Sequence, residues 1–316
     1  MLRVGYIDDT TCDKHIGCGP EVPDRTSTIR KVLMEDKTLT QLLTRKASIK
    51  DLELVHSSKY IENIQKKCSQ LQPDAVLNLD SDVDINRDTY ESACAAAGGV
   101  ISAVDAVLTN SVTHVFCNVR PPGHHASSNR AAGFCIFNNV VIGVEHCLKL
   151  RPNYKIAIVD YDVHHGDGSE QIVKEKAHPN VYFFSLFNCK IYPGNVGPSD
   201  STKRVENIPL TSSKHYRSHF RKSVIKELET LKPDLIFVSS GFDAHRLDPL
   251  GGFDLTKEDY AWMTKKLVKV TPHIISVLEG GYSLIALSES TRAVIEELKY
   301  ACNMSTLTDK VSNVSI

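Results

Sequence analysis

Four short stretches of this chain hold the residues that could do chemistry. In Asp160-Tyr161-Asp162-Val163-His164-His165-Gly166-Asp167-Gly168, Asp160, Asp162 and His164 alternate, so an extended backbone turns all three to one face, a combination of carboxylate and imidazole that suits a metal ion. Arg120-Pro121-Pro122-Gly123-His124-His125 sets two adjacent imidazoles on a Pro-Gly loop, with Gly133-Phe134-Cys135-Ile136-Phe137-Asn138-Asn139 close behind. Ser239-Ser240-Gly241-Phe242-Asp243-Ala244-His245 adds a carboxylate, and Leu278-Glu279-Gly280-Gly281-Tyr282 a phenol after a Gly-Gly turn. Each has a structural alternative. Paired aspartates cap helices, single histidines serve as buried hydrogen-bond partners, and a tyrosine after a turn can simply pack.

What must position these groups is a set of short apolar runs: Val4 to Ile7, Thr113 to Val119, Ile156 to Asp160, Val181 to Leu186, Leu235 to Ser239 and Ile274 to Leu278. Most are continuously apolar, as strands covered on both faces are. Between them lie helical patterns. Phe220, Val224, Ile225, Leu228 and Leu231 form one stripe, Thr256-Lys257-Glu258-Asp259 has the form of a capping box ahead of Tyr260, Met263, Leu267 and Val270, and Glu91 to Leu108 is Ala-rich with Gly98 and Gly99 as tolerated weak points. Alternating strands and helices predict a parallel sheet. The four polar stretches each follow a run, and ligands of open parallel sheets bind beyond the carboxyl ends of the strands, so the four should converge. Asp162, His164 and Asp243 then become candidate metal ligands with a fourth position open, as in catalytic zinc sites; iron(II) or cobalt(II) would suit the same donors.

Lys plus Arg total 37 against 38 Asp plus Glu, which leaves no basic field to hold nucleic acid. The amino-terminal residues lack the pattern of a secretion signal, and no stretch approaches the roughly 18 apolar residues of a membrane span. Nine cysteines without a CxxC pair argue against a disulfide framework and fit a cytoplasmic location, with the nucleus as alternative. With no repeat and no linker, the expectation is one α/β domain over residues 1–302 and a short, loosely held polar tail over 303–316.

Taken in order, RPPGHH, GFCIFNN, DYDVHHGDG, SSGFDAH and LEGGY resemble the motif series of the zinc-dependent histone deacetylases, class II-like, and their acetylpolyamine-cleaving relatives. The likeness extends from about Gly5 to Cys302 and includes Gly19 to Arg25 and Leu54 to Ser57. It implies a single three-layer α/β/α domain around a mainly parallel sheet, of the arginase and deacetylase type. By resemblance, Asp162, His164 and Asp243 hold one zinc ion, His125 is the general base, and His124 is a charged companion. Asp160 backs His124 and Asp167 backs His125. Tyr282 donates to the oxyanion, Phe134 and Tyr192 wall an acyl-lysine tunnel, and the Gly133 carbonyl accepts from the substrate amide. A potassium ion would take groups of Asp160, Asp162, His164, Ser185 and Leu186.

The reading favoured by this resemblance is hydrolysis of acetyl, or another short acyl group, from the lysine ε-amine of proteins. Its substrates would be acylated lysine side chains, with no direct nucleic acid or membrane partner. Alternatives are an acetylpolyamine amidohydrolase and a non-catalytic acyl-lysine-binding scaffold. A binuclear manganese ureohydrolase would need further aspartates where Ala244 and His245 stand. Leu250 bears on the polyamine alternative: acetylpolyamine-preferring relatives carry an acidic residue at this place, and leucine offers a distant ammonium no partner.

Overall fold

The sheet can be built from the apolar runs. In chain order the strands are β1 (Val4–Asp8), β2 (Thr40–Gln41), β3 (Leu77–Asp80), β4 (Val83–Ile85), β5 (His114–Asn118), β6 (Ile156–Asp160), β7 (Val181–Asn188), β8 (Val205–Leu210), β9 (Leu235–Ser240) and β10 (Ile274–Leu278). The computed structural model describes residues 3–194, 196, 197, 199 and 204–312, with side chains to Cys302. Eight strands form one sheet in the order β2-β1-β5-β10-β9-β6-β7-β8, with every pairing parallel. β3 and β4 form a separate antiparallel hairpin.

The continuous hydrophobicity of the strands follows from the two layers that cover them. Val115, Cys117, Ile156 and Ile158 join the core under helices Thr89–Leu108 and Asn139–Leu150. Their neighbours Phe116, Ala157 and Val159 join the opposite core, against helices Asp24–Glu35, Lys257–Leu267 and Leu284–Ser312. The result is the expected three-layer α/β/α sandwich. The strands that precede the four polar stretches, β5, β10, β9 and β6, are consecutive in the sheet, so the stretches emerge side by side at its carboxyl edge.

Some elements differ from the sequence expectation. β2 has only two residues, and β8 is an edge strand carrying Pro209, a residue that normally speaks against a strand but is tolerated at an edge. The stripe from Phe220 to Leu231 is helical, but residues Phe220–Ile225 form a π-helical segment between two short α-helices. Thr256 does begin its helix, its N–H donating to Asp259 Oδ2 at 2.9 Å. That helix ends at Leu267, before Val270.

Gly98 is no weak point. A Cβ there would stand 1.9 Å from the Arg45 carbonyl oxygen, so the glycine lets a loop pass against the helix. The helix around it, Thr89–Leu108, is long and apolar enough to cross a membrane by length and composition, contrary to the expectation that no stretch is. It is largely buried inside the fold, as a core helix is. The last helix continues through Ser312, so the Ser and Thr residues between Asn303 and Ser312 do not stop the helical backbone; residues 313–316 of the expected tail lie outside the described residues.

Candidate active site

Asp162, His164 and Asp243 come together at the ends of β6 and β9, with one donor atom from each lying within 4.8 Å of the others. His164 Nδ1 is 3.1 Å from Asp162 Oδ1 and 3.1 Å from Asp243 Oδ2. Main-chain donors orient both acids: Gly280 N–H reaches Asp162 Oδ2 at 2.8 Å and Val163 N–H reaches Asp243 Oδ1 at 2.8 Å. Both carboxyls are fully buried. Burial and the charge of Asp162 push Asp243 up to about 7. Against the pull of burial, the two carboxylates raise His164 to about 10. Facing acids in a dry site call for positive charge between them, and a dication on this N/O donor set answers that demand, so the residues fit a zinc ion.

The two imidazoles lie beside this trio, their ring centres 4.0 Å apart. His124 Nδ1 pairs with Asp160 Oδ2 at 3.0 Å, and its Nε2 stands 3.8 Å from Asp162 Oδ2. Burial opposes its protonation, but Asp162, Asp160 and Glu279 outweigh that and hold His124 well above the ordinary histidine range. His125 Nδ1 pairs with Asp167 Oδ1 at 2.6 Å. Burial and the neighbouring His124 charge bring His125 down to about 4 despite Asp167. One histidine is therefore held charged and the other neutral.

A 290 Å³ pocket reaches the trio at His164, and its lining includes His125, Gly133, Phe134, Tyr192, Leu250 and Tyr282. The Tyr192 ring meets His125 edge-on at 4.9 Å, and the Phe134 ring meets Tyr282 edge-on at 5.7 Å. Gly133 has a φ of +52°, and a Cβ on it would lie 2.3 Å from His125 Cδ2, so the wall approaches the imidazole only because this residue has no side chain. Burial raises the Tyr282 phenol well above its usual range, which keeps it a neutral donor. Ser185 is the β7 partner of Asp160 in the sheet register, its Oγ 3.0 Å from His165 Nδ1, and Leu186 is the next residue along the strand. His245 faces away, with Nδ1 accepting from Leu247 N–H at 3.2 Å and Nε2 lying 2.8 Å from Glu289.

Several supporting residues were not singled out from the sequence. Glu21 is fully buried and takes Arg120 through both oxygens, at 2.8 and 2.7 Å, while Arg25 Nη1 reaches it at 2.8 Å. Arg120 begins the histidine loop. Arg25 in turn donates to the carbonyls of Glu279 and Gly281, at 2.7 Å to the latter. This network ties the loop of His124 and His125 to the segment of Tyr282. Asp82, in the turn between β3 and β4, also lines the pocket and accepts from Gly133 N–H at 3.1 Å. A lone Glu, Arg or Asp reads in sequence as a solvated surface residue. The one available signal was that Glu21 and Arg25 lie in the Gly19–Arg25 stretch and Arg120 begins RPPGHH.

Comparison with known proteins gives a consistent picture. A family model described as the histone deacetylase domain matches residues 19–298. Histone deacetylase 6 of Caenorhabditis elegans is 33% identical over 92% of this chain, which spans 33% of that protein. Histone deacetylase 5 of Arabidopsis thaliana is 34% identical over 94% of the chain, which spans 49% of its length. An uncharacterized protein of Synechocystis is 36% identical over 89% of the chain, here spanning 92% of the relative. The crystal structure of the HDA15 HD domain aligns with a TM-score of 0.87 at 28% identity, covering 97% of this chain and 93% of that one.

Proposed function

The chain belongs to the histone deacetylase family, and from that premise we propose that it is a zinc-dependent amidohydrolase removing acetyl, or another short acyl group, from the ε-amine of lysine in proteins. The observation that carries this reading is the Asp162, His164 and Asp243 trio facing a neutral His125 and the Tyr282 pocket. Held by that trio, zinc would polarise the acyl carbonyl and acidify the attacking water.

The chain's own groups supply the rest. His125, with Nδ1 engaged by Asp167, presents Nε2 to take the proton of the attacking water. His124, paired with Asp160, contributes positive charge beside the developing oxyanion. The neutral Tyr282 phenol donates its O–H to that oxyanion. The water oxygen bonds to the acyl carbon, and as the C–N bond then breaks His125 passes the proton it took to the leaving nitrogen, so that a carboxylate and a free lysine amine remain. Phe134 and Tyr192 strip water from the lysine methylenes, and the Gly133 carbonyl accepts the substrate amide proton. A potassium ion beside the zinc would draw on Asp160, Asp162, His164, Ser185 and Leu186; the Asp160 to Ser185 pairing favours that grouping.

Leu250 on the pocket wall favours acyl-lysine over a polyamine, because it gives a second ammonium no partner. The nine free thiols fit a cytoplasmic protein, with the nucleus as alternative. The test is hydrolysis of acyl-lysine peptides and acetylpolyamines, side by side, by zinc-loaded protein. Faster cleavage of acetylspermidine than of every peptide would replace this substrate class.

A further inference from the structure

We infer that Glu279 is a positioning residue of the active site, whose carboxylate clamps the backbone of the His124 and His125 loop to the segment that presents Tyr282. Its Oε2 accepts two main-chain N–H groups, from Gly123 at 2.7 Å and from His124 at 3.1 Å. Its side chain also lies beside the His124 ring, with donor atoms of Glu279, His124 and Cys135 within 4.8 Å of one another. The backbone around it is held equally closely. Glu279 N–H donates to Ser240 O at 3.2 Å, Gly280 N–H to Asp162 Oδ2 at 2.8 Å, and Arg25 bonds the carbonyls of Glu279 and Gly281. One short segment thus grips the histidine loop by a side chain, orients a metal-binding carboxylate by an amide and ends on the phenol.

Stability alone does not account for this residue. Glu279 is fully buried, and its Oε1 has no hydrogen-bond partner among the described residues. A buried carboxyl with an orphan oxygen is a cost to the fold, and what stands against that cost is the loop it fixes. Glu279 does not line the substrate pocket and is not one of the zinc-binding trio, so its loss should displace the imidazoles without emptying either site.

Two variants of nearly equal length separate acceptor from filler. Glu279→Gln keeps an oxygen for the two N–H groups; Glu279→Met fills the same space without one. Insofar as it concerns turnover, the inference rests on the proposed deacylase reading. With zinc-loaded protein and an acetyl-lysine peptide, E279Q should stay within about threefold of wild-type kcat. E279M should lose about thirtyfold or more in kcat, with KM within about twofold and zinc retained, as expected when catalytic groups are misplaced by a fraction of an ångström. E279M turnover within threefold of wild type would overturn the clamp, and so would E279Q falling as far as E279M. Amide hydrogen exchange gives a second readout that needs no activity and covers the case in which E279M fails to fold. In wild type and E279Q, the Gly123 and His124 amides should be protected to the level of the β5 amides, and rapid exchange in either protein would overturn the proposal. An inactive wild type with protected amides would instead refute the deacylase reading and leave the clamp standing.

Discussion

The guanidinium of Arg25 lies over the ring of Tyr282, its central carbon 4.9 Å from the ring centre, while its Nε bonds the carbonyl of Gly281 just before it. A buried cation against the ring face fixes the direction of a phenol that burial keeps neutral. Tyr282→Phe retains the ring for Arg25 and Phe134 and removes only the donor. Turnover on an acetyl-lysine peptide should fall about 10²–10³-fold, with zinc content and melting temperature unchanged. A rate equal to wild type would remove Tyr282 from the mechanism.

Glu21 makes stability depend on pH. Burial favours its neutral form, but Arg120, Arg25 and His15 prevail and hold the carboxyl at about 2, below the ordinary 4.5. A folded-state value below the unfolded one contributes stability that is complete above pH 4.5 and lost as pH falls toward 2, amounting to roughly 3 kcal/mol. Urea unfolding should show a wide gap between wild type and Glu21→Gln at pH 7 that narrows below pH 4. A gap of constant width would show that the charge of Glu21 does not stabilise the fold.

Gly133→Ala should damage catalysis more than binding of the metal. The new methyl would meet the His125 ring at 2.3 Å on a backbone at φ +52°, so ring or loop must move. A displacement near 1 Å costs about 10²-fold in rate. Zinc analysis and kcat, measured on the same sample, should part company; normal turnover would show that the wall is free to yield.

Leu250→Glu tests substrate class. The side chain is on the pocket wall and partly exposed, so a carboxylate there can meet a distant ammonium. At a site this exposed such pairing contributes about 1 kcal/mol or less, a shift of a few-fold in the ratio of the two substrates. The variant should raise kcat/KM for acetylspermidine and lower it for acetyl-lysine peptides. No change in their ratio would separate Leu250 from selectivity.

The central strands were legible because burial on both faces writes an unbroken apolar run, as in Ile156 to Asp160, and convergence followed from the place of each polar stretch past such a run. The edge strand β8 was not, since Glu206, Asn207 and Pro209 interrupt it. Within the site, Asp162, His164 and Asp243 announced themselves by residue type, and their proximity required only the parallel topology. Glu21, Arg25, Arg120 and Glu279 did not. Their importance lies in which partner each meets across as many as 256 positions of chain, and no local pattern encodes that. The close pass at Gly98 was hidden for the same reason.

The most direct test of the account is acetate release from an acetyl-lysine peptide by metal-stripped protein reloaded with one equivalent of zinc, beside Asp243→Ala treated identically. The account predicts multiple turnovers by the wild type only when zinc is restored, and neither stoichiometric zinc nor turnover for the variant. A wild type that binds its zinc and releases no acetate, or an Asp243→Ala protein that keeps both zinc and full activity, would contradict it.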